Sequence, residues 1–349
     1  DDVAFLVDTV TKRKKDSYEH SKQVDNYRQM LESVHYDIRA LLIKLADRLH
    51  NCRTIEFMPD HKRDKILSET MFVFIPLAHR LGLYGIKSEM EDIWLRYKQP
   101  EAFNEITEKI NRNISDKDRE ITEFIAPIDD ALKTAGFRYE IKKRVKTPYS
   151  IWNKMNNKGI AFDQIYDLYA VRIIFDPDKE SKETERDQCY HVFSIITGLY
   201  RYKADRVRDW VNYPKNNGYE ALHCTLMSNA GFWIEVQIRS TRMNEIAEKG
   251  IAAHWAYKKN GFAEENESEM DKWISKVKDI LVNPDVSALE LLDMIHNDLI
   301  QSDIVVFTPK GEQRSIEKGA TALDFAYSIH SQIGSKAIAA QANLRHVPL

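Results

Sequence analysis

The spacing of the apolar residues changes near Gly136, and this change divides the chain into a helical part and a mixed α/β part. Before it, Ile38, Leu41, Leu45 and Leu49 recur at steps of three and four residues, which is the period of an amphipathic helix. After it, apolar and polar residues alternate, which predicts strands at residues 137–145, 168–175, 222–227 and 232–238. Helical patterns at residues 149–158 and 188–200 separate some of these strands. We therefore expect a multidomain chain of class α and α/β.

Four segments follow from these patterns. Residues 1–126 are predicted to be helical, and residues 127–259 to form the α/β part. A polar run at residues 260–269 opens a linker, which contains a helical pattern and extends to residue 302. Residues 303–349 have the order strand, Pro-Lys-Gly turn, strand and helix, which predicts a small α+β module.

Composition and charge exclude several classes of protein. The chain has 349 residues with 51 Lys or Arg and 54 Asp or Glu, so its net charge is −3 and a uniformly basic nucleic-acid coat is excluded. With 43% apolar residues it can fill hydrophobic cores, which excludes a disordered chain. No apolar run approaches the roughly 18 residues that span a bilayer, and no signal peptide is visible. We expect a cytoplasmic protein with no membrane association.

The cysteines and the first residue also carry information. Cys52, Cys189 and Cys224 are odd in number and far apart, which favours a reducing compartment over a disulfide framework or a zinc site. Because position 1 is not Met, we expect the sequence to be a fragment.

A cluster of basic residues lies where a helix is predicted to begin. Residues 138–158 contain seven Lys or Arg and one acid. Thr147 can cap the helix, with Pro148 at its first position, so Ser150 and Lys154 share one face near its start. Arg144 and Lys146 come just before it, and with the backbone donors and the helix dipole we expect this start to hold phosphates. The alternative interpretation is a solvated basic face.

Two carboxylates are candidates for a metal site. Alternation in residues 232–239 places Trp233, Glu235, Gln237 and Arg239 on one face of a strand. Asp167 opens another strand pattern, and if the two strands are neighbours, Asp167 and Glu235 can share a magnesium ion with substrate phosphates. A solvent-facing strand edge is the alternative.

A turn lies between these two patterns. Asn217-Gly218 predicts a turn that presents Lys215, Asn217, Tyr219 and His223 on a loop, where an aromatic ring can stack on a base. A tyrosine that anchors the core and a structural histidine are the alternatives.

These residues together resemble the alarmone synthetase domain of the RelA/SpoT family. Five motifs occur in the family's order: RVKTPYSIWNKM at 144–155, FDQIYDLYAVR at 162–172, YPKNNGYEALH at 213–223, EVQIR at 235–239 and GIAAHW at 250–255. The resemblance implies a mixed-sheet, nucleotidyltransferase-like domain. Its implied activity is transfer of the β,γ-pyrophosphate of ATP to the 3′-hydroxyl of GTP or GDP, which yields (p)ppGpp and AMP.

The same resemblance assigns roles to residues. Arg144, Lys146, Ser150 and Lys154 would hold the ATP phosphates. Asp167 and Glu235 would bind Mg²⁺, and Glu235 would help to deprotonate the attacking hydroxyl. Tyr219 would stack on the guanine. The other residues expected to contact substrate are Arg172, Arg208, Lys215, Asn217, His223, Gln237 and Arg239.

One motif points to a particular branch of the family. Members that only synthesise resemble E-x-D-D before the loop, whereas residues 206–209 are RVRD, similar to the basic R-x-K-D of bifunctional members with Arg208 in place of Lys. We therefore expect a protein that both synthesises and hydrolyses the alarmone when full length.

Residues 42–53, LIKLADRLHNCR, resemble the last metal-binding helix of the family's HD-type hydrolase domain. Asp47 would be the surviving ligand, with Arg48 and Asn51 beside it, although a solvated Asp is the plain alternative. The upstream H…HD ligands of the family have no counterpart in the sequence. We expect residues 1–126, as a hydrolase remnant with connecting helices, to bind Mn²⁺ poorly and not to hydrolyse the alarmone.

Residues 303–349 resemble a TGS module of β-grasp fold, expected to be incomplete, through VFTPKG at 306–311 and DFAYSIH at 324–330. In ribosome-dependent relatives this module inspects deacylated tRNA, and His330 matches the histidine that contacts it. Ribosome and deacylated tRNA are therefore the expected partners, besides ATP and GTP or GDP. A core or cap histidine is the alternative.

Three functions are carried forward. The chain synthesises the alarmone, or it is a silent module that senses tRNA, or the full-length protein mainly degrades the alarmone. The joint presence of Arg144, Lys146, Asp167 and Glu235 favours synthesis. The choice between GTP and GDP and the formation of a homodimer stay open.

Overall fold

The fold is described from a computed structural model. It describes residues 38–165, 167–215, 217–250, 303–308, 313–317, 319–343 and 345–349, with a few positions before residue 12. The chain separates into two compact units, Asp1–Leu299 and Ile300–Leu349. The predicted linker at 260–302, the motif at 251–255 and the turn at 309–311 lie outside the described residues.

The first part of the larger unit is a bundle of helices. It contains α1 (Ile38–Arg53), α2 (Asp60–Glu69), a π-helical turn (Thr70–Phe74), α3 (Ile75–Arg80) and α4 (Tyr84–Lys98). The predicted apolar stripe of α1 is confirmed, because Leu41, Leu45 and Leu49 are buried in one core with residues of α3 and α4. The stripe is what holds α1 in the bundle, since burial of apolar area is the main favourable term.

Helix α5 (Pro100–Thr134) joins the bundle to the sheet. The helical pattern was predicted to end near residue 126, but the helix continues for two more turns through Pro127. Proline removes one backbone hydrogen bond, yet residues on both sides of it, including Phe124, Ile128 and Leu132, are buried in the core of the sheet. Burial on one face therefore outweighs the local cost of the proline.

The second part of the larger unit is a five-stranded mixed sheet in the order β1-β2-β5-β4-β3. The strands are β1 (Arg138–Val145), β2 (Tyr169–Asp176), β3 (Arg208–Asp209), β4 (Leu222–Met227) and β5 (Trp233–Ser240). Strands β2 and β5 pair in parallel, and the other neighbours are antiparallel. All four predicted strands are confirmed, whereas the two-residue strand β3 was missed.

Three helices accompany the sheet: α6 (Pro148–Lys158), α7 (Glu185–Leu199) and α8 (Thr241–Lys249). Both helices predicted in this part correspond to α6 and α7, within three residues at each end. All three cysteines are unpaired and buried. Among the helices described, none is both long and apolar enough to cross a lipid bilayer.

The smaller unit begins with an antiparallel hairpin of β6 (Asp303–Phe307) and β7 (Gln313–Glu317). Helices α9 (Ala322–Ile329) and α10 (Ser331–Lys336) follow, then a second hairpin of β8 (Ala340–Ala342) and β9 (Arg345–Val347). The predicted order of strand, strand and helix is confirmed.

The helical bundle touches the sheet domain through a close approach of two glycines. Gly82 follows α3 and Gly250 follows α8, and both have positive φ angles. A Cβ atom built on Gly250 would lie 2.2 Å from the carbonyl oxygen of Leu81 and 2.7 Å from the carbonyl carbon of Gly82. Only a residue without a side chain allows the two backbones to approach this closely.

This packing predicts that Gly250→Ala destabilises the larger unit more than a matched glycine substitution. Gly231 has a φ of +84° but open space around its Cβ position, so Gly231→Ala measures the cost of a positive φ without a clash, about 1–2 kcal/mol. Gly250→Ala adds a clash with backbone atoms, for which we expect a further loss of about 1–3 kcal/mol. Urea unfolding measures both, and equal losses would contradict the close approach.

Candidate functional site

Helix α6 begins as predicted and carries two of the expected phosphate ligands. Thr147 caps it, since its Oγ1 accepts from the backbone N–H of Ser150 at 3.4 Å, and Gly159 ends it in the left-handed conformation. Ser150 is on the first turn and Lys154 one turn later. The local sequence therefore fixes where this helix starts and ends.

The backbone donors at the start of α6 are already used within the protein, which corrects the expectation that they would bind phosphate. Pro148 has no N–H, and the N–H of Tyr149 donates to Oδ1 of Asp92 on α4 at 2.9 Å. The N–H of Ser150 is bound by Thr147, and that of Ile151 donates to the Thr147 carbonyl. Phosphates at this helix must therefore be held by side chains, because no first-turn backbone donor is left.

Asp167 is bound by two lysines. Its Oδ2 lies 3.1 Å from Nζ of Lys146, and its Oδ1 accepts a hydrogen bond from Lys154. Burial acts to raise the pKa of Asp167, but the charges of the two lysines outweigh it, and the pKa is held below its usual value. Asp167 is therefore an anion that keeps two cations in place.

Glu235 lies beside Asp167 because β2 and β5 pair in parallel. Ala170 of β2 is opposite Glu235, and Asp167 comes two residues before β2 begins. Both carboxylates line one small cavity of about 80 Å³. The other lining residues are Arg144, Lys146, Thr147, Ser150, Ala170 and Gln237.

The predicted alternation of β5 is confirmed, whereas the alternative of a solvent-facing strand edge is wrong. Ile234, Val236 and Ile238 are fully buried on the core face. The opposite face is not a solvent-facing edge, because β5 lies between β2 and β4, and Gln237 and Arg239 are buried. Buried polar groups on a central strand need polar partners, so this face of the sheet must supply partners for Gln237 and Arg239.

Six of the seven residues of the basic cluster divide into two groups, and the seventh, Lys158, is exposed at the end of α6. Arg138, Lys142 and Lys143 form exposed ion pairs with Asp176, Glu140 and Asp118. Arg144 and Lys146 line the cavity, and Lys154 binds Asp167 within it. A solvated basic face therefore describes only the first group.

A second polar group surrounds Tyr219. Its hydroxyl accepts a hydrogen bond from Nη2 of Arg239 and lies 2.8 Å from Nε2 of His223. Arg239 is 1% exposed, and within the described residues its Nε and Nη1 atoms have no hydrogen-bond partner. A buried guanidinium with two unused donors is costly unless an acceptor reaches it.

His223 is a neutral histidine in this arrangement. Burial lowers its pKa well below 6.5, and the nearby charges of Arg239, Lys215, Arg172 and Lys146 lower it further. Because the Tyr219 hydroxyl can then donate to Nε2, the proton of the imidazole is assigned to Nδ1, which lies 3.6 Å from Oε1 of Glu235. His223 thus connects the Tyr219 group to the cavity with the two carboxylates.

The loop before β4 is a turn, as predicted, but it packs against the helical bundle. His223, which was expected on the loop, lies instead within β4, opposite Gln237. The Gly218 N–H donates to the Lys215 carbonyl, and Nδ2 of Asn217 donates to the Tyr84 hydroxyl at 2.5 Å and to the His79 carbonyl at 3.3 Å. The rings of Tyr84 and Tyr219 meet edge to face with centroids 5.9 Å apart. Tyr219 is only 9% exposed as a result.

Two further expected substrate residues flank this group, and Lys215 covers it. Arg172 donates from Nη1 to Glu248 of α8 at 2.5 Å. Arg208 is exposed on β3 opposite His223 and donates to the carbonyls of Asp205 and Val207. Nζ of Lys215 lies 4.8 Å from the ring centroid of Trp210 and 5.2 Å from that of Tyr219.

The site also includes residues that the sequence analysis missed. Tyr84 and Glu248 contact the expected site residues Asn217 and Arg172, across 133 and 76 positions of the chain respectively. Asp92 contacts Tyr149, the residue before Ser150, across 57 positions. None of these three residues belongs to a recognisable motif, and a local sequence pattern does not predict contacts between residues so far apart in the chain.

The hydrolase-like helix shows one of its expected features. Nδ2 of Asn51 donates to Oδ2 of Asp47 at 3.3 Å, so the two share one exposed face of α1. Arg48 instead binds Glu69 at 2.7 Å and lies over the ring of Phe74. In the part of the chain that is described, no group of three or more His, Cys, Asp and Glu side chains is placed to hold a metal ion.

His330 lies in the smaller unit between α9 and α10. Its Nδ1 accepts from the N–H of Gln332 at 3.1 Å, so it caps α10, which agrees with the alternative of a cap histidine. The side chain is exposed.

Three family models match the chain. The region found in RelA / SpoT proteins matches residues 143–262, the HD domain residues 1–84 and the TGS domain residues 304–349. A solved structure, small alarmone synthetase 1 from Bacillus subtilis bound to its product pppGpp, is 17% identical over 55% of this chain and 98% of its own. Its TM-score of 0.33 is too low for a structural conclusion.

Curated relatives match over the whole chain. A GTP pyrophosphokinase of Myxococcus xanthus is 38% identical over 100% of this chain and 45% of that protein. A guanosine-3′,5′-bis(diphosphate) 3′-pyrophosphohydrolase of Aquifex aeolicus is 36% identical over 99% of this chain and 48% of that protein. The bifunctional (p)ppGpp synthase/hydrolase SpoT of Escherichia coli K12 is 35% identical over 99% of this chain and 49% of that protein. The chain thus spans about half the length of these relatives, and it is similar to RelA/SpoT proteins in three successive regions.

Proposed function

We propose that the sheet domain transfers the pyrophosphate group of ATP to the 3′-hydroxyl of GTP or GDP and releases AMP. The observation that carries the proposal is the cavity that Asp167 and Glu235 share with Arg144, Lys146 and Ser150. Clustered cations beside two carboxylates suit phosphoryl-type transfer, in which positioning and charge stabilisation supply most of the catalysis. The similarity to the GTP pyrophosphokinase of Myxococcus xanthus supports the same reaction.

The cations of the cavity are assigned to the triphosphate of ATP. Lys146 and Lys154 both contact Asp167, and phosphate oxygens offer both lysines an alternative anion. Arg144 is exposed at the cavity, where its planar guanidinium can bind two phosphate oxygens. Ser150 adds a hydroxyl from the first turn of α6.

The donor set of the cavity fits a magnesium ion. Two carboxylates with substrate phosphates are the ligands that Mg²⁺ takes in such sites, and Asp167 and Glu235 supply them. When bound, the ion would neutralise charge that builds up on the transferred group. Asp167 is available to a metal only after Lys146 and Lys154 turn to the phosphates, so metal and ATP are expected to bind together.

Glu235 is assigned to the attacking hydroxyl as a proton acceptor. Its Oε1 accepts from the amide of Gln237 at 2.6 Å, which orients the carboxylate. His223 is neutral and faces the same oxygen. A positioned base contributes roughly 10²–10⁴-fold to rate.

The acceptor nucleotide is assigned to the group around Tyr219. The unused donors of Arg239 and the nearby Arg172 suit an anionic ligand such as the 5′-phosphates of GTP or GDP. Stacking of guanine on Tyr219 requires that Tyr84 leave the ring, because Tyr219 is 9% exposed in its present contact.

The remaining assignments complete the proposal. A silent sensing module is the weaker candidate, since Arg144, Lys146, Asp167 and Glu235 are brought together at one cavity or bound to its residues. For the full-length protein we propose a second activity, Mn²⁺-dependent hydrolysis of (p)ppGpp through the HD region with Asp47 and Asn51. Deacylated tRNA and the ribosome are proposed partners of the TGS module through His330, and the cytoplasm is the proposed location.

Glu235→Gln is expected to lower the rate of pyrophosphate transfer at least about 100-fold, because it removes both the metal ligand and the base. The assay follows label from γ-labelled ATP into GDP or GTP, together with AMP release, in Mg²⁺. Glu140→Gln is the matched control, since Glu140 is an exposed strand glutamate that pairs only with Lys142 among the described ion pairs. Full activity of Glu235→Gln would contradict the site, and no transfer by the wild type, with or without ribosomes and tRNA, would contradict the function.

Two substitutions of Tyr219 separate stacking from the hydroxyl network. Tyr219→Phe and Tyr219→Leu both remove the acceptor of Arg239, so both are expected to destabilise the larger unit by about 1.5–3 kcal/mol. Only Tyr219→Leu removes the ring, and base stacking is worth about 1–3 kcal/mol. We expect KM for the acceptor to rise about tenfold or more in Tyr219→Leu and to stay within about threefold in Tyr219→Phe. Equal KM values for the two variants would rule out stacking on this ring.

A further inference from the structure

A carboxylate of the protein itself lies at the N-terminus of α6. Asp92 occupies the position where the start of a helix attracts an anion, and its Oδ1 accepts from the Tyr149 N–H at 2.9 Å. Thr147 binds the next N–H along the helix. A ligand phosphate therefore finds no free backbone donor there, although Ser150 lies on the same turn.

The contact belongs to a larger attachment of α6 to α4. Trp94 lies two residues after Asp92, and its ring meets Tyr149 edge to face at 6.2 Å and Trp152 at 6.0 Å. The Tyr149 hydroxyl also reaches Sδ of Met71, at 3.9 Å. One side of α6 is thus fixed to the helical bundle, while Ser150 lines the catalytic cavity and Lys154 binds Asp167 there.

Asp92 is the polar part of this attachment. It is half-buried, and burial raises its pKa, while the Tyr149 N–H and the charge of Arg96 act in the opposite direction. An ionised carboxylate in such surroundings is stabilised by the helix start, and it stabilises the helix start in turn. The aromatic contacts alone leave the first N–H of the helix unpaired.

We propose that Asp92 is a positioning residue for ATP: it fixes the first turn of α6, so that Ser150 and Lys154 face the triphosphate. The inference rests on the proposed function for its catalytic consequence. A residue of the helical bundle therefore determines how well the sheet domain binds one of its two substrates. Because the contact is a hydrogen bond to an oxygen, an amide at position 92 can replace the carboxylate.

Three variants test the proposal. Asp92→Ala removes the acceptor, and we expect KM for ATP to rise about tenfold with KM for GDP unchanged, since one hydrogen bond to a charged group is lost on the ATP side. Asp92→Asn keeps an acceptor oxygen, and KM for ATP is expected to stay within about threefold of the wild type. Glu89→Ala is the control: Glu89 lies one turn earlier on α4 and lines the same cavity of about 530 Å³ as Asp92, but its described hydrogen bonds are with Arg53.

Several outcomes would overturn the proposal. An unchanged KM for ATP in Asp92→Ala would do so, as would equal increases of both KM values, which indicate general destabilisation. A lower KM for ATP in Asp92→Asn would show that the negative charge repels the triphosphate, which also contradicts a positioning role.

Hydrogen exchange gives a readout that does not depend on catalysis. The peptide 147–158 is expected to exchange faster in Asp92→Ala than in the wild type, in Asp92→Asn or in Glu89→Ala, because the first turn of α6 loses its partner. Equal exchange in all four proteins would overturn the anchoring of α6 whatever the activity. A different result is faster exchange in Asp92→Ala together with no pyrophosphate transfer by the wild type. It would contradict the proposed function, and with it the role of Asp92 toward ATP, but it would support the contact of Asp92 with α6.

Discussion

The parallel pairing of β2 with β5 is the constraint on which the site depends. It places Glu235 opposite Ala170, and therefore within one cavity of Asp167. The two strands are separated by α7, β3 and β4, so the pairing forms only when the whole sheet domain has folded. The apolar residues on the other face of β5 make this register firm, because a slip by one residue would bring Glu235 into the core.

Opposite charges are already paired within the cavity. Asp167 lies between Lys146 and Lys154 and offsets part of their positive charge, since a half-buried cation without a partner would be costly. In the proposed function, the lysines would bind phosphate and Asp167 would help to hold the metal. Such an exchange of partners needs little reorganisation of the backbone, because every group involved is already at the cavity. Arg239 differs, since two of its donors have no acceptor among the described residues, and these are the donors that we propose for the acceptor nucleotide.

Local patterns predicted the parts of the site that local physics determines. The capped start of α6 follows from the residues of a single turn, and the two faces of β5 follow from the alternation of apolar and polar residues. Both were predicted correctly. The use of the α6 backbone donors was predicted wrongly: Thr147 binds two of them locally, and Asp92, the partner of the Tyr149 N–H, lies 57 residues away. The burial of Tyr219 by Tyr84 also depends on tertiary packing. The continuation of α5 past Pro127 shows the same effect, since core contacts override a local breaker.

Helix α4 contacts both halves of the site, and the two proposals place opposite demands on it. Asp92 must stay where it is to hold α6, whereas Tyr84 must leave the Tyr219 ring for a base to stack there. The two residues are eight positions apart on one helix, about 12 Å along its axis. A movement of the whole of α4 away from the sheet domain would expose the Tyr219 ring, but it would also break the contact between Asp92 and α6. Tyr84 is the first residue of α4 and lies two residues after Gly82. Rotation of the Tyr84 side chain, or a local change at this turn, would expose the Tyr219 ring while Asp92 keeps its contact with α6. Under the two proposals, the acceptor side would open at the first residue of α4, and the middle of α4 would hold the ATP side.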